Sequence, residues 1–414
     1  MKILEKVYYK ISILFFRYII LPFYHHIYLP PKVNKMREKR QITFLFVLQD
    51  LKQWKTESLY LSMLKHPRFN PILGIASNKE VIGKEKDLVD YCHQKNYNYI
   101  LLESNKTLIQ QANPDIIAYQ KPYKELIHEA HYVSKNRKAL FVMIPYAMNS
   151  VIMDWAINQW GYLLCWQLYS ENEMCCEDRR KLSWIKGKNY VITGFPIMDE
   201  FLSDKTCFMD PWPKDRSLKR IIYAPHHTIG DMHYEGISYS TFLENADFML
   251  QMREKYKNKV YFIFKPHPLL HRKLEMYWGE EKTESYYNKW RYSENSHIEE
   301  GEYIGLFKYS DAMIHDCSSF TIEYLYTGNP VMYLTKEENH EENLNRMAKE
   351  AFRLHEKGNN HIEIEQFIER IISGINIHRD EMIKFRKERL TPPHGKKASD
   401  NIINAILGIE DYSI

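Results

Sequence analysis

Residues 311–334 read DAMIHDCSSFTIEYLYTGNPVMYL, and this stretch decides the fold class. An apolar run ends at Asp316, a helical pattern follows and stops at Gly328, and a second apolar run begins at Pro330. Ser318 or Ser319 is placed to cap the helix, and glycine is typical of a helix end. The pattern predicts a strand, a helix and a parallel strand, which is the repeating unit of α/β sheets.

The same alternation extends outward over most of the chain. Apolar runs that predict buried strands lie at 41–49, 71–77, 97–103, 114–120, 138–145 and 188–196, and then at 220–225, 259–266, 311–316 and 330–335. Helix-like stretches, such as 54–65 and 84–95, separate them. This predicts an α/β protein with two Rossmann-like, doubly wound parallel-sheet domains facing a cleft.

Composition divides the chain further. Residues 203–217 are polar and carry two prolines, which is typical of a linker. We predict five segments: an amphipathic and basic segment at 1–40, a first Rossmann-like domain at 41–202, the linker at 203–217, a second Rossmann-like domain at 218–375, and C-terminal helices at 376–414.

Charge is distributed unevenly along the 414 residues, whose formal net charge is +4. Residues 1–40 hold nine basic and two acidic side chains, so this segment carries +7 and the remainder −3. A slightly acidic body disfavours nucleic-acid binding. With 44% hydrophobic and 27% charged residues, the composition also excludes bulk disorder and a polytopic membrane protein. The six cysteines form no CxxC pair, which favours reduced thiols in the cytosol.

The N-terminal stretch 11–29, ISILFFRYIILPFYHHIYL, predicts an interfacial segment. Arg17, Pro22 and the His25-His26 pair interrupt the apolar run that a spanning helix requires. Aromatic, aliphatic and basic residues occur together, as in helices that lie on an anionic membrane surface. The alternative is a helix that docks on the protein's own body.

Polar residues follow two strands of the second half. Pro225-His226-His227-Thr228 comes after 220–225, and Lys265-Pro266-His267-Pro268 comes after 259–264. Imidazoles at a strand end suit acid–base chemistry or phosphate contact, and a lysine supplies positive charge for a diphosphate. The alternative is a pair of ordinary solvent-facing turns.

The quoted stretch adds a candidate anion site. A helix that begins near Ser318 and Ser319 offers free backbone N–H groups and two hydroxyls, and Glu323 follows on the same face. There is no GxGxxG, no P-loop and no Asp-x-Asp, and no histidine pair has the spacing of a zinc motif. We therefore assign no metal and no cofactor.

These residues together resemble the CDP-glycerol glycerophosphotransferase family, the teichoic-acid and capsule polymerases and primases with a GT-B fold. The resemblance rests on five stretches: Tyr223-Ala-Pro225, Lys265-Pro-His267-Pro, Asp316-Cys-Ser318-Ser319, Gly328-Asn-Pro330-Val, and Thr193-Gly194-Phe195-Pro196 with Asp199. It implies a first domain for the acceptor and a second for the donor nucleotide. It also implies that His267 contacts or polarises the donor diphosphate, that Ser318 and Ser319 bind phosphate, and that Asp316 and Glu323 orient the site or the ribose. Attachment to the cytoplasmic face of the membrane is a further implication.

Two departures from the family pattern concern the acceptor side and the donor pocket. The family's Trp-His-Gly motif, which carries its proposed base, is replaced by residues 144–149, IPYAMN, so that Tyr146 and Asn149 stand on the acceptor side. The family's Pro-Thr-x-Arg motif is replaced by Pro225-His226-His227-Thr228, and His226 or His227 is a candidate substitute base.

The resulting hypothesis is a transferase peripheral on the inner face of the cell membrane. It would move glycerol phosphate, or a related group, from CDP-glycerol to a lipid-linked or surface-glycan acceptor in cell-envelope synthesis. A nucleotide-sugar glycosyltransferase of the same fold is the first alternative. A non-catalytic membrane-associated assembly protein and a sugar-nucleotide epimerase are two others.

Overall fold

Two parallel β-sheets form the framework of the protein. The computed structural model describes residues 2–77, 84–102, 106–121, 127–148, 150, 154–202, 210–230, 240–301, 303–317, 320–335 and 344–409. By compactness the chain falls into two units, the first comprising 1–147, 153–200 and 391–414 and the second 148–152 and 201–390. Each unit contains one of the sheets.

The first sheet has seven strands in the order β3-β2-β1-β4-β5-β6-β7. The strands are β1 Ile42–Leu48, β2 Phe69–Ala76, β3 Tyr99–Leu102, β4 Ile116–Tyr119, β5 Leu140–Met143, β6 Gln167–Ser170 and β7 Tyr190–Ile192. Central strand β1 reads ITFLFVL and is almost wholly buried, since helices cover both faces of such a sheet. The space beside it is tight: a Cβ on Gly74 of β2 would lie 2.9 Å from a Leu45 methyl.

The second sheet has six strands in the order β10-β9-β8-β11-β12-β13. They are β8 Lys219–Ala224, β9 Val260–Phe264, β10 Ser296–Ile298, β11 Ala312–His315, β12 Val331–Leu334 and β13 Glu356–Gly358. All pairings in both sheets are parallel. Both sheets therefore have the doubly wound order predicted from the alternation.

Helices connect the strands. In the first half they are α1 Lys2–Phe15, α2 Leu21–Phe23, α3 Leu29–Glu38, α4 Glu57–Lys65, α5 Lys84–Lys95, α6 Lys106–Ala112, α7 Asp154–Ile157, α8 Trp160–Leu163, α9 Glu173–Leu182 and α10 Met198–Phe201. In the second half they are α11 Phe242–Lys255, α12 Leu270–Trp278, α13 Glu280–Arg291, α14 Ile304–Lys308, α15 Phe320–Glu323, α16 Arg346–Phe352, α17 His361–Ile372, α18 Arg379–Phe385 and α19 Ala398–Leu407. Short 3-10 turns lie at Leu51–Gln53, Glu129–His131, Tyr324–Tyr326 and Pro393–Gly395, and a π-helical turn lies at Arg386–Leu390.

The N-terminal segment is one continuous helical run, because π-helical turns at Phe16–Ile20 and Tyr24–Tyr28 join α1, α2 and α3. One side of it docks on the first unit: Leu29, Val33 and Met36 belong to the hydrophobic core. The other side exposes large apolar side chains, namely Tyr8, Ile11, Leu14, Phe15, Tyr18, Ile19, Ile20, Phe23, Ile27 and Tyr28. Among the described residues, no helix combines the length and the apolar character that crossing a membrane requires.

Three basic residues of this segment bond the protein itself. Lys32 donates to the backbone oxygens of Arg137 and Ala139, Arg37 donates to Ile406 O and Ala405 O, and Lys39 pairs with Asp115. The charged groups of these three side chains therefore lie against backbone oxygens and a carboxylate of the first unit.

The C-terminal helix α19 returns to the first unit, where Asp199 holds its N-terminus. The Asp199 carboxylate accepts hydrogen bonds from Ala398 N at 2.7 Å and from Ser399 N at 2.9 Å. Nearby, Gly194 has φ +86°, and a Cβ there would lie 2.8 Å from Pro392. The stretch Gly194–Asp199 therefore packs against Pro392 and holds the N-terminus of α19 on the first unit.

Candidate active site at the carboxyl ends of the second sheet

The second sheet changes winding direction between β8 and β11, which are neighbours in space although β9 and β10 intervene in sequence. In open α/β sheets, ligands bind outside the carboxyl ends of the strands at such a switch point. The segments that leave β8, β9 and β11 here carry His226 and His227, Lys265 and His267, and Asp316. The sheet order thus brings together residues that lie up to 90 positions apart.

Asp316 organises this edge. Its side chain is fully buried, and its carboxylate accepts hydrogen bonds from His226 N at 2.5 Å and from Thr241 N at 2.6 Å. The Thr241 hydroxyl adds a third at 3.1 Å. Burial raises the pKa of Asp316 to about 6, against the lowering effect of these donors. The carboxylate therefore ties the loop after β8 to the start of α11.

Three imidazoles cluster beside it. The ring centroids of His226 and His227 lie 4.3 Å apart, those of His227 and His267 lie 4.1 Å apart, and those of His226 and His267 lie 5.0 Å apart. His267 N donates to Pro225 O at 3.0 Å, which joins the loops that carry the rings. His226 Nδ1 lies 3.0 Å from Thr228 Oγ1, and His267 Nδ1 accepts a hydrogen bond from Leu269 N at 3.2 Å.

Two of these rings are neutral at physiological pH. Burial is the main cause that lowers the pKa of His226 to about 3, and the neighbouring His227 and Lys273 add to it. Burial and then Lys273 lower the pKa of His227 to about 4. An anionic ligand would oppose both effects, since a nearby negative charge favours the imidazolium form.

Two lysines follow β9 along the chain, and they have different surroundings. Lys265 is buried, and its ammonium donates to Gly301 O at 3.0 Å and to Glu299 O at 3.4 Å, so that it anchors the segment after β10. Lys273 of α12 is partly buried, and it is close enough to His226 and His227 to lower their pKa values. No motif marks Lys273; only its position one turn into the helix after Lys265-Pro266-His267-Pro268 would have pointed to it.

Glu323 of α15 is buried beside this edge. It accepts hydrogen bonds from the Tyr303 hydroxyl at 2.6 Å and from Met148 N at 3.2 Å. Burial raises the pKa of Tyr303 well above its ordinary value, and the neighbouring Glu323 carboxylate adds to this effect. Glu323 therefore joins α15 to the residues at 148 and 303.

Four expected residues remain, and the structure describes one of them, Tyr146. Ser318, Ser319 and Asn149 lie outside the described residues. Tyr146 follows β5 in the first unit, where Lys121 Nζ lies 4.7 Å from its ring centroid. Three further polar residues take part in the hydrogen bonds around Asp316 and His226, namely Thr228, Ser240 and Thr241. No sequence motif marks them.

Comparison with known proteins identifies the family. A sequence model of the CDP-glycerol:poly(glycerophosphate) glycerophosphotransferase family matches residues 31–408. The chain belongs to this family. It is therefore a member of a transferase family, as the motifs of the second half had indicated, and the match extends over both units.

Solved structures confirm the GT-B fold class. A variant of the wall teichoic acid polymerase TagF is similar with a TM-score of 0.61 and 15% identity, over 94% of this chain and 92% of that one. UDP-GlcNAc 2-epimerase from Neisseria meningitidis, bound to UDP-GlcNAc, is similar with a TM-score of 0.54 and 13% identity, over 89% of this chain and 100% of that one. No curated protein sequence matches the chain significantly.

Proposed function

We propose that this protein transfers glycerol phosphate from CDP-glycerol to a hydroxyl of a lipid-linked or surface glycan in cell-envelope synthesis. Family membership supports the donor class. The histidine cluster at the switch point of the second sheet is the single structural observation that carries the proposal, because this is where such folds bind nucleotide ligands.

The reaction would be a displacement at phosphorus. An acceptor hydroxyl attacks the phosphorus that carries glycerol, a new O–P bond forms, and the bond to the CMP phosphate breaks. The hydroxyl proton passes to a base, and CMP leaves with the electron pair of the broken bond. Positioning and charge stabilisation dominate in such transfers.

The cluster is suited to that task in two ways. Neutral imidazoles donate one hydrogen bond each to phosphate oxygens without the solvation cost of a buried cation. His267 accepts from Leu269 N through Nδ1, which leaves Nε2–H as the donor in the neutral ring. Lys273 supplies positive charge next to His226 and His227, where charge develops on the departing CMP phosphate.

The base is the part of the family pattern that differs most in this chain. Residues 144–149 contain no histidine. Once a diphosphate is bound, its charge would raise the pKa of His226 or His227, and either ring is our candidate for accepting the proton. The replaced motif also favours the second candidate function, a nucleotide-sugar glycosyltransferase of the same fold.

The exposed side of the N-terminal helical run supports a location at an anionic membrane surface. Ile19, Phe23 and Ile27 are 54%, 55% and 61% exposed, and Lys10 and Arg17 lie exposed nearby. Apolar side chains flanked by basic ones are the pattern of helices that lie in the lipid interface. A lipid-linked acceptor would be found at such a surface.

The nucleotide that is released tests the proposal. Purified full-length protein is incubated with CDP-glycerol or with UDP- and GDP-sugars, in the presence of lipid-linked glycan acceptors. We expect CMP from CDP-glycerol and no nucleotide from the sugars. Release of UDP or GDP alone would establish the glycosyltransferase instead, and release of no nucleotide from any donor would favour a non-catalytic protein.

A further inference from the structure

The histidine cluster has the composition of a metal site. One nitrogen each from His226, His227 and His267 lies within 4.8 Å of the other two. Within the described part of the chain, no other group of three histidine, cysteine or carboxylate side chains comes this close. No sequence motif marks this group, because His226 and His227 are adjacent and His267 follows 40 residues later, at the end of another strand.

The backbone holds the three rings in place before any ligand binds. Strands β8 and β9 pair in parallel up to Tyr223 and Phe264, and prolines at 225 and 266 follow them. The bonds from His267 N to Pro225 O and from His226 N to Asp316 fix the loops beyond the strands. Such a preorganised arrangement lowers the entropy cost of gathering ligands.

We propose that His226, His227 and His267 bind one divalent transition-metal ion of the zinc class. Imidazole nitrogens suit Zn²⁺, Co²⁺ and Ni²⁺, whereas Mg²⁺ and Ca²⁺ prefer oxygen ligands. At a Zn–N distance of roughly 2.0–2.1 Å, tetrahedral nitrogens lie about 3.3 Å apart, so modest side-chain rotations would close the site. Three protein ligands leave a fourth position open, as in catalytic zinc sites.

The surroundings of the rings favour ligation. Thr228 Oγ1 beside His226 Nδ1 is the kind of outer partner that fixes a ligand's tautomer. Ligation by His267 Nε2 would move the ring proton to Nδ1, so His267 would give up the 3.2 Å hydrogen bond that Nδ1 accepts from Leu269 N. The positive charge of Lys273 opposes a bare cation, and it would be offset by a phosphate on the metal.

The role of the open position rests on the proposed function. A phosphate oxygen of the donor would occupy it, and the metal would polarise the diphosphate as a Lewis acid in place of direct hydrogen bonds from the rings. A ring bound to the metal does not also accept a proton, so the base assigned above to His226 or His227 applies to the metal-free protein. Metal binding itself does not depend on the identity of the donor, so the two proposals can be tested separately.

The test measures metal binding to full-length protein stripped with a chelator. Co²⁺ is followed by its visible absorption, and Zn²⁺ by competition with a chromophoric chelator. We expect one ion per chain, a loss of affinity greater than 100-fold in His227→Gln and His267→Gln, and a loss of about 10–100-fold in Thr228→Val. His361→Ala is the matched control, because His361 is an exposed histidine stacked on Phe248.

The outcomes separate cleanly. Absence of stoichiometric binding, or unchanged affinity in both glutamine variants, overturns the metal site. Circular dichroism checks that each variant is folded. If His267→Gln is not folded, His267→Asn takes its place. Stoichiometric metal binding without turnover of CDP-glycerol would leave the metal site standing and refute the proposed function. Turnover of CDP-glycerol by the metal-free protein would support the proposed function and refute a role for the metal in it.

Discussion

Asp316 shows how one buried residue controls the candidate site. The sequence placed it at a strand end, and the resemblance gave it a role in orienting the site or the ribose. In the structure its two oxygens are engaged by two backbone N–H groups and one hydroxyl. The contacts in the structure support the first of those roles, in which Asp316 acts on the loop that carries His226.

Removal of this carboxylate is expected to destabilise the second unit. In Asp316→Ala, the buried N–H groups of His226 and Thr241 lose their hydrogen-bond acceptor. Each unsatisfied donor costs about 1–3 kcal/mol of folding free energy. Denaturant unfolding should therefore show a loss of at least about 2 kcal/mol. Asp247→Asn, an exposed change on α11, should leave the unfolding midpoint where it is. Equal stability of the two variants would contradict the account.

The buried histidines predict acid sensitivity. Six described histidines have lowered pKa values, mainly through burial: His25, His226, His227, His297, His315 and His355. The unfolded chain takes up protons at these positions below about pH 6.5 while the folded chain does not, so stability falls as the pH drops through this value.

Two carboxyls work in the opposite direction. Burial raises the pKa of Asp199 and of Asp316 to about 6. Below that pH these carboxyls take up protons in the folded chain, which stabilises the folded state. Because six imidazoles outnumber two carboxyls, we expect a lower melting temperature for metal-free protein at pH 5.5 than at pH 7.5. His315→Gln should reduce the difference. A melting temperature that is equal or higher at pH 5.5 would contradict this balance.

At the scale of elements, the N-terminal helical run has two different sides. Residues such as Met36 belong to the core of the first unit, and Tyr24 and Lys32 hydrogen-bond backbone oxygens there. The opposite side exposes a row of aromatic and aliphatic side chains. From sequence, docking and membrane binding are alternatives, whereas the structure shows a docked helical run whose other side exposes apolar side chains.

The docked side should matter for stability. Met36→Ala removes a side chain that is 3% exposed within the core, and we expect the free energy of unfolding to fall by about 2–5 kcal/mol. Ile27→Ala, at an exposed position of the same run, is the control and should change it little. If both variants unfold at the same denaturant concentration as wild type, the run does not stabilise the first unit.

The exposed side should matter for lipid binding. The double variant Ile19→Glu and Phe23→Glu removes two apolar side chains without touching the core, so its affinity for vesicles of phosphatidylglycerol and phosphatidylcholine should fall about tenfold or more. Ile383→Glu alters a similarly exposed residue on α18 and is the control. Vesicle sedimentation compares them; undiminished binding of the double variant would reject the membrane proposal.

At the scale of the whole molecule, the sequence predicted both sheets but not every strand. Strands β6, β10 and β13 read QLYS, SHI and EKG, and they escaped because their polar residues break the apolar pattern. Tertiary contacts compensate: the buried Gln167 amide donates to Ala405 O, and the Ser296 hydroxyl donates to Trp290 O. The Gln167 partner lies 238 residues away in sequence and leaves no local signal.

The candidate site was also predictable from sequence only in part. His226, His227, His267 and Asp316 were predictable individually, because strand ends are marked by local sequence. Their proximity required the strand order β9-β8-β11, and Lys273 and Thr241 required the packing of α12 and α11. The direction of the Lys265 ammonium, toward Gly301 O, depends on a segment that no pattern identified.

The central claim is that the histidine cluster of the second sheet carries out transfer from CDP-glycerol. The rate of CMP release from CDP-glycerol, measured for wild type, His267→Ala and His361→Ala with a lipid-linked acceptor, tests it most directly. We predict that His267→Ala loses about 100–1000-fold in turnover, because it removes one donor that stabilises the transition state, while His361→Ala stays within a few-fold of wild type. Turnover by His267→Ala within a few-fold of wild type would contradict the claim.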